Sequence, residues 1–215
     1  MVEKRENTGF RQKQIAVAAA ELIVKYGSEH LTIKRLAGHT KLSEAAIYRH
    51  FSSKSDIYYF LLKHVETSLL ADLRGGDSAG SIRPADIDAL IDRHITGIER
   101  NFGVEFQVIA EIISMGDVAL NRETLRIING YIASLEETFS QRIKSKYIRS
   151  KVEAEYLAIA FFTLVQGLVY MWALSGYAFN LKHRFYQVWA VHNKALAIYK
   201  SKQIGKRLKF EIQSE

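Results

Sequence analysis

Apolar residues recur at helical spacing along nearly the whole chain. Ile15, Ala18, Ala19, Leu22, Ile23 and Tyr26 form one stripe, which predicts a helix over residues 11–26 that Gly27 ends. Thr32 offers an N-cap hydroxyl to a short helix whose inner face is Ile33, Leu36 and Ala37. Ser43 caps a second short helix, with Glu44 in its positive first turn. Ser53-Lys54-Ser55-Asp56 has the form of a capping box and opens a long helix carrying Ile57, Phe60, Leu61, Val65, Leu69 and Leu73. A Gly-rich polar run over residues 75–81 predicts a loop, and Pro84 predicts the next helix start, with Asp86 and Asp88 in its first turn.

Beyond that point the stripes lengthen. Ile87, Leu90, Ile91, Ile95, Ile98 and Phe102 lead to Gly103, and a shorter helix spans about residues 105–115. Asn121 is the expected cap of a helix striped by Leu125, Ile128, Ile132, Leu135, Phe139 and Ile143. Segments 152–176 and 182–200 complete an all-α chain of about nine helices.

Composition narrows the class. The 215 residues are 48% hydrophobic and 25% charged, ordinary for a packed domain, and a single proline suits long helices. There is no cysteine, which excludes disulfides, thiolate metal sites and a cysteine nucleophile and suits a reducing compartment. The run over residues 156–172 approaches membrane-span length, but Thr163 and Gln166 interrupt it, so it reads as a buried core helix and no membrane partner is expected.

Charge is unevenly spread. Residues 1–54 carry ten Lys/Arg against five Asp/Glu, residues 55–181 twelve against sixteen, and residues 182–215 eight against two. Basic ends around an acidic middle predict that a polyanion meets the ends. The alternative for the last stretch (Lys194, Lys200, Lys202, Lys206, Arg207, Lys209) is a solvated helix end.

Three short helices with a tight turn between the second and third describe a helix-turn-helix. Its third helix has to be thin where it enters a major groove roughly 12 Å wide. Ala45 and Ala46 supply that thinness, while Tyr48, His50 and Lys54 are suited to gripping phosphates. Residues 32–54, TIKRLAGHTKLSEAAIYRHFSSK, resemble the helix-turn-helix of TetR-family transcriptional regulators. Thr32, Leu36-Ala37, Leu42-Ser43, Ala45 and Tyr48-Arg49-His50-Phe51 with Lys54 carry the likeness, which extends over about residues 11–60.

The resemblance implies a DNA-binding domain over residues 1–54, with the helix-turn-helix at about 32–51, and a helical effector-binding and dimerisation domain over 55–215. It implies that Thr32 and Lys34 contact the DNA backbone, and that Ser43, Glu44, Ala45 and Arg49 face bases or adjacent phosphates. Tyr48, His50 and Lys54 would hold phosphates, and Phe51 would anchor the core. Three of these have plainer alternatives: Glu44 as a helix-dipole residue, Arg49 as a solvated cation, His50 as packing. One departure stands out. The family usually has Ala-Gly where this chain has Thr40-Lys41, so a left-handed Lys41 would cost on the order of 1 kcal/mol, recoverable through a phosphate contact.

For the second domain, the resemblance implies a homodimer formed by the last two helices and a small-molecule effector. Phe102, Phe106, Tyr131, Phe139, Phe162 and Tyr170 are candidate pocket walls, with His94 or Gln166 as polar contact, although aromatics at this spacing also make plain core. The expected function is a cytoplasmic, nucleoid-bound regulator, released from a pseudo-palindromic operator by a small apolar ligand. The alternative is a nucleoid-associated or division-control DNA-binding protein with no effector, since residues 42–51 are also similar to the family's nucleoid-occlusion member. No cofactor or metal is expected. The motifs of serine hydrolases, zinc peptidases, P-loops and dinucleotide folds are all lacking, so no catalysis is expected.

Overall fold

The computed structural model describes residues 2–74, 86–144 and 153–198, and among these there are nine α-helices and no strand. In chain order they are α1 (Val2–Tyr26), α2 (Ile33–Thr40), α3 (Glu44–Tyr48), α4 (Lys54–Arg74), α5 (Asp86–Arg100), α6 (Val104–Ser114), α7 (Val118–Lys144), α8 (Ala154–Leu174) and α9 (Leu181–Ile198). A 3-10 turn, Ser28–His30, joins α1 to α2. The expected loop over 75–81, Pro84 and the basic residues from Lys200 onward lie outside the described residues.

The caps near the N-terminus are local and form as expected. Thr32 Oγ1 accepts from the Arg35 N–H at 3.1 Å, and Ser43 Oγ accepts from the Ala46 N–H at 3.1 Å. The capping box is reciprocal: Ser53 Oγ accepts from the Asp56 N–H, and Asp56 Oδ2 accepts from the Ser53 N–H, both at 3.1 Å.

Three expectations need correction. The first helix begins at Val2, well before residue 11. Asn121 does not cap the seventh helix; Asp117 does, its Oδ1 accepting from the Ala119 and Leu120 N–H groups at 2.9 Å. Asn121 therefore sits one turn inside, its own N–H bonded to the Asp117 carbonyl. The buried side of α7 is also rotated: Leu120, Thr124, Ile127, Tyr131, Leu135 and Phe139 face inward, while Leu125 is 58% exposed. Thr124 is tolerated inside because its hydroxyl donates to the Leu120 carbonyl at 2.8 Å.

Helices α4 to α9 enclose the larger part of the core, and α1 bridges to it by packing on α2, α4 and α6. Gly103, between α5 and α6, has a φ of 60°, and a Cβ there would lie 2.5 Å from Val169 Cγ1. The joint thus requires glycine on both conformational and packing grounds. Helix α8 is long and apolar enough to cross a membrane by length and composition alone. In the fold, Leu157, Phe161, Val165, Leu168 and Trp172 are buried on one side, with α6, α7 and α9 packed against the helix.

Candidate nucleic-acid interface

Helix α3 is held from beneath and open above. Ile47 and Phe51 are buried, Phe51 edge-on to Phe60 at 5.5 Å, so the short helix is anchored to α4. Gln12 of α1 donates to the His50 carbonyl at 3.2 Å and ties down the helix end. Ser43, Glu44, Ala45 and Arg49 are exposed, as is Tyr48 at 53%. Thr32, Lys34 and Lys41 are exposed beside them. Eight of the ten candidate DNA-contact residues therefore stand on open surface.

The other two are turned partly inward. His50 is half-buried, with its Nδ1 enclosed and lacking a hydrogen-bond partner. Lys54 reaches back so that Nζ lies 3.5 Å from the Ser28 carbonyl and 5.5 Å from the Tyr58 ring centroid. A phosphate contact by Lys54 requires the ammonium to swing outward.

The turn carries the anticipated irregularity. Lys41 is left-handed at φ 56°, ψ 34°, and the Leu42 N–H reaches the Ala37 carbonyl at 2.9 Å, closing α2 with a Schellman-type cap. Thr40 adds a bond from Oγ1 to the Leu36 carbonyl at 2.8 Å. Lys41→Gly is expected to raise stability by about 0.5–1 kcal/mol by removing the left-handed Cβ penalty. Urea unfolding checks it, and unchanged or lower stability would count against strain at this residue.

A chain of contacts runs from this unit into the larger core. The Ser28 carbonyl accepts from Tyr58 OH at 3.1 Å, and the Ser28 N–H donates to Glu111 Oε2 on α6 at 2.8 Å. Burial first, then the negative charges of Glu111 and Glu29, push the Tyr58 hydroxyl up to about 12. Sequence reasoning missed Gln12, Ser28, Tyr58 and Glu111 because their partners lie 30 to 83 residues away.

Residues 15–58 match the family described as bacterial regulatory proteins, tetR family. They form a TetR-family DNA-binding domain. The whole fold is that of TetR-family regulators: the regulatory protein TetR from Rhodobacter sphaeroides superimposes with a TM-score of 0.70 at 16% identity, over 84% of this chain and 97% of that one. FadR from Bacillus subtilis, solved in complex with stearoyl-CoA, does so with a TM-score of 0.68 at 18% identity, over 82% and 94%. In sequence, the chain is 23% identical over 192 residues to the nucleoid occlusion factor SlmA of Haemophilus influenzae, covering 87% of this chain and 86% of that protein. Against SlmA of Yersinia enterocolitica, identity is 36% over 72 residues, one third of this chain and 36% of that one.

In the TetR-family fold, the proposed pocket residues split into separate groups. His94, Phe106, Tyr131 and Phe162 do come together: His94 Nε2 and Tyr131 OH are 2.6 Å apart, and the Phe106, Tyr131 and Phe162 ring centroids lie 6.1–6.5 Å from one another. Phe139 joins the same core through Phe161 at 5.9 Å. These rings pack against each other in the core. Phe102 is elsewhere, left-handed and 54% exposed, stacked on Trp172 at 6.0 Å. Gln166 is half-buried, and Tyr170 faces a different cleft along α8.

Proposed function

We propose that this chain is a dimeric TetR-family regulator that reads a pseudo-palindromic operator with two copies of α3. The observation that supports it is α3 itself: Ile47 and Phe51 are buried as anchors while Ser43, Glu44, Ala45, Tyr48 and Arg49 are exposed. Ala45 and Ala46 leave room for the backbone to approach base edges, Arg49 reads bases or adjacent phosphates, and Thr32, Lys34, Lys41 and Tyr48 set the register on phosphates. His50 and Lys54 join after local rearrangement. In this reading residues 1–54 bind DNA, residues 55–215 dimerise and sense a small molecule, and the protein resides on the nucleoid in the cytoplasm.

The dimer interface is the outward side of α8 and α9. Tyr156, Ile159, Thr163, Gly167 and Met171 are exposed along α8 at spacings of three and four, with Met171 at 55%. Val188 and Val191 continue the apolar strip on α9. A strip of this length on water is costly, and a two-fold four-helix packing covers it.

Selection from random duplexes followed by fluorescence anisotropy tests the reading. A palindrome with half-sites roughly 34–36 Å apart, or a multiple, is expected. Tyr48→Ala is expected to weaken binding to all duplexes about equally, and Arg49→Ala to cost about 1–3 kcal/mol and relax specificity. Binding falls steeply with salt as phosphate contacts release counterions. Failure to enrich any palindrome would sink the proposal.

A second reading has its own support. The similarity to SlmA, a nucleoid occlusion factor in Haemophilus influenzae, extends over most of both chains rather than the DNA-binding domain alone. A nucleoid-associated role predicts many chromosomal sites and no effector response, whereas an operator-bound repressor predicts few sites. Chromatin immunoprecipitation separates the two.

A further inference from the structure

A cleft of about 520 Å³ opens between α1, α6, α8 and the segment after α8, with Tyr170 and Tyr177 on one wall and Val24 and Ala110 on others. Its size falls within the range of small-molecule sites. Its chemistry is one-sided. Glu111 is the only charged residue of the lining, which contains no lysine, arginine or histidine. Among the described residues no cationic side chain pairs with this half-buried carboxylate. The Ser28 N–H occupies one acceptor position, and a carboxylate offers about four. The lining holds two tyrosine rings, and an aromatic face attracts a cation most strongly when water is excluded. Tyr170 senses the same field: burial pushes its hydroxyl up, the Gln166 side chain opposes this, and the charge of Glu111 raises it further.

We propose that this cleft binds an organic cation with an apolar body, its charge on Glu111 and its hydrocarbon surface against Tyr170, Tyr177 and Val24. An anion such as an acyl thioester of a nucleotide is repelled there by the Glu111 carboxylate. Glu111 is also the residue that holds Ser28, and the Ser28 carbonyl holds Tyr58 and Lys54 at the root of the DNA-binding domain. A cation drawing the carboxylate into the cleft loosens that tie. On the reading of the protein as a DNA-binding regulator, its binding therefore lowers operator affinity.

Tetraphenylphosphonium and tetraphenylborate have the same shape and opposite charge, so they make a matched pair of probes for calorimetry on the full chain without DNA. The cation is expected to bind once per protomer, about tenfold or more tighter than the anion. Glu111→Gln keeps an acceptor for Ser28 and is expected to lower cation affinity about tenfold. Ala110→Lys, which places a cation in the lining without touching Glu111, is expected to abolish binding, and it serves if Glu111→Gln fails to fold. Equal binding of the two ions, or cation binding unchanged in both variants, overturns the site. A second arm titrates the cation into the protein on its selected duplex, where a severalfold loss of DNA affinity is expected. Cation binding with unchanged DNA affinity overturns the coupling and leaves the site standing. A protein that takes the cation but binds no duplex refutes the regulator reading instead.

Discussion

Gly167→Arg is expected to yield a folded monomer that binds its operator about 100-fold or more weakly. Gly167 is exposed on the outward side of α8, and a Cβ built there meets no atom within 4 Å, so the protomer has room for the larger side chain. Removing a glycine from a helix interior favours the helix by roughly 0.8 kcal/mol, so thermal stability of the protomer should hold or rise. In an isologous interface the substitution appears twice, placing two long cations into an apolar four-helix packing. The loss of affinity follows from losing the second half-site, whose linkage contributes about 10²–10⁴ in avidity. The added positive charge would by itself favour DNA, so a fall in affinity cannot be assigned to simple electrostatics. Sedimentation velocity and anisotropy are the measurements. A dimer with full affinity would place the interface on another face.

Phe161→Ala is expected to cost about 3–5 kcal/mol, the largest stability loss of any substitution considered. Phe161 is fully buried at the meeting of α5, α7, α8 and α9, with its ring centroid 6.4 Å from His94, 5.9 Å from Phe139 and 5.5 Å from both Phe185 and Trp189. Neighbours locked on three other helices collapse only partly into the void, so the cavity term adds to the lost transfer energy. Such a loss is a large fraction of the roughly 5–15 kcal/mol that holds a domain folded. Urea unfolding should show a lower midpoint at similar slope, while Phe162→Ala, half-buried beside it, should lose less. A loss below about 1 kcal/mol for Phe161→Ala would mean that this core is loosely packed enough to adjust.

The same rings show what aromatic spacing leaves open about a pocket. Periodicity leaves Tyr131 off the α7 stripe of Leu125, Ile128 and Ile132, yet its ring is buried and meets Phe106 and Phe162. It carries no information on whether facing rings leave a gap or close it. Phe102 illustrates the limit differently: its stripe position predicts burial, but the chain reverses there through a left-handed residue, and the ring stacks on Trp172 at the rim instead. In α7, spacing puts Leu125 on the apolar stripe and residue type makes Asn121 the cap, whereas Asp117 supplies the cap and the buried side runs through Leu120, Thr124, Ile127 and Tyr131.

The sequence by itself determined the all-helical class, the caps of α2, α3 and α4 and the strained turn at Lys41. Each of these depends on bonds that span three to five residues, so the information is contiguous in the chain. Tertiary structure alone decided that Lys54 bends back toward Ser28, that Ser28 is held by Glu111, and that a carboxylate faces two tyrosines across a cleft. Those contacts join residues 26 to 83 positions apart, brought together only when burial of the apolar stripes docks α1 against α4 and α6.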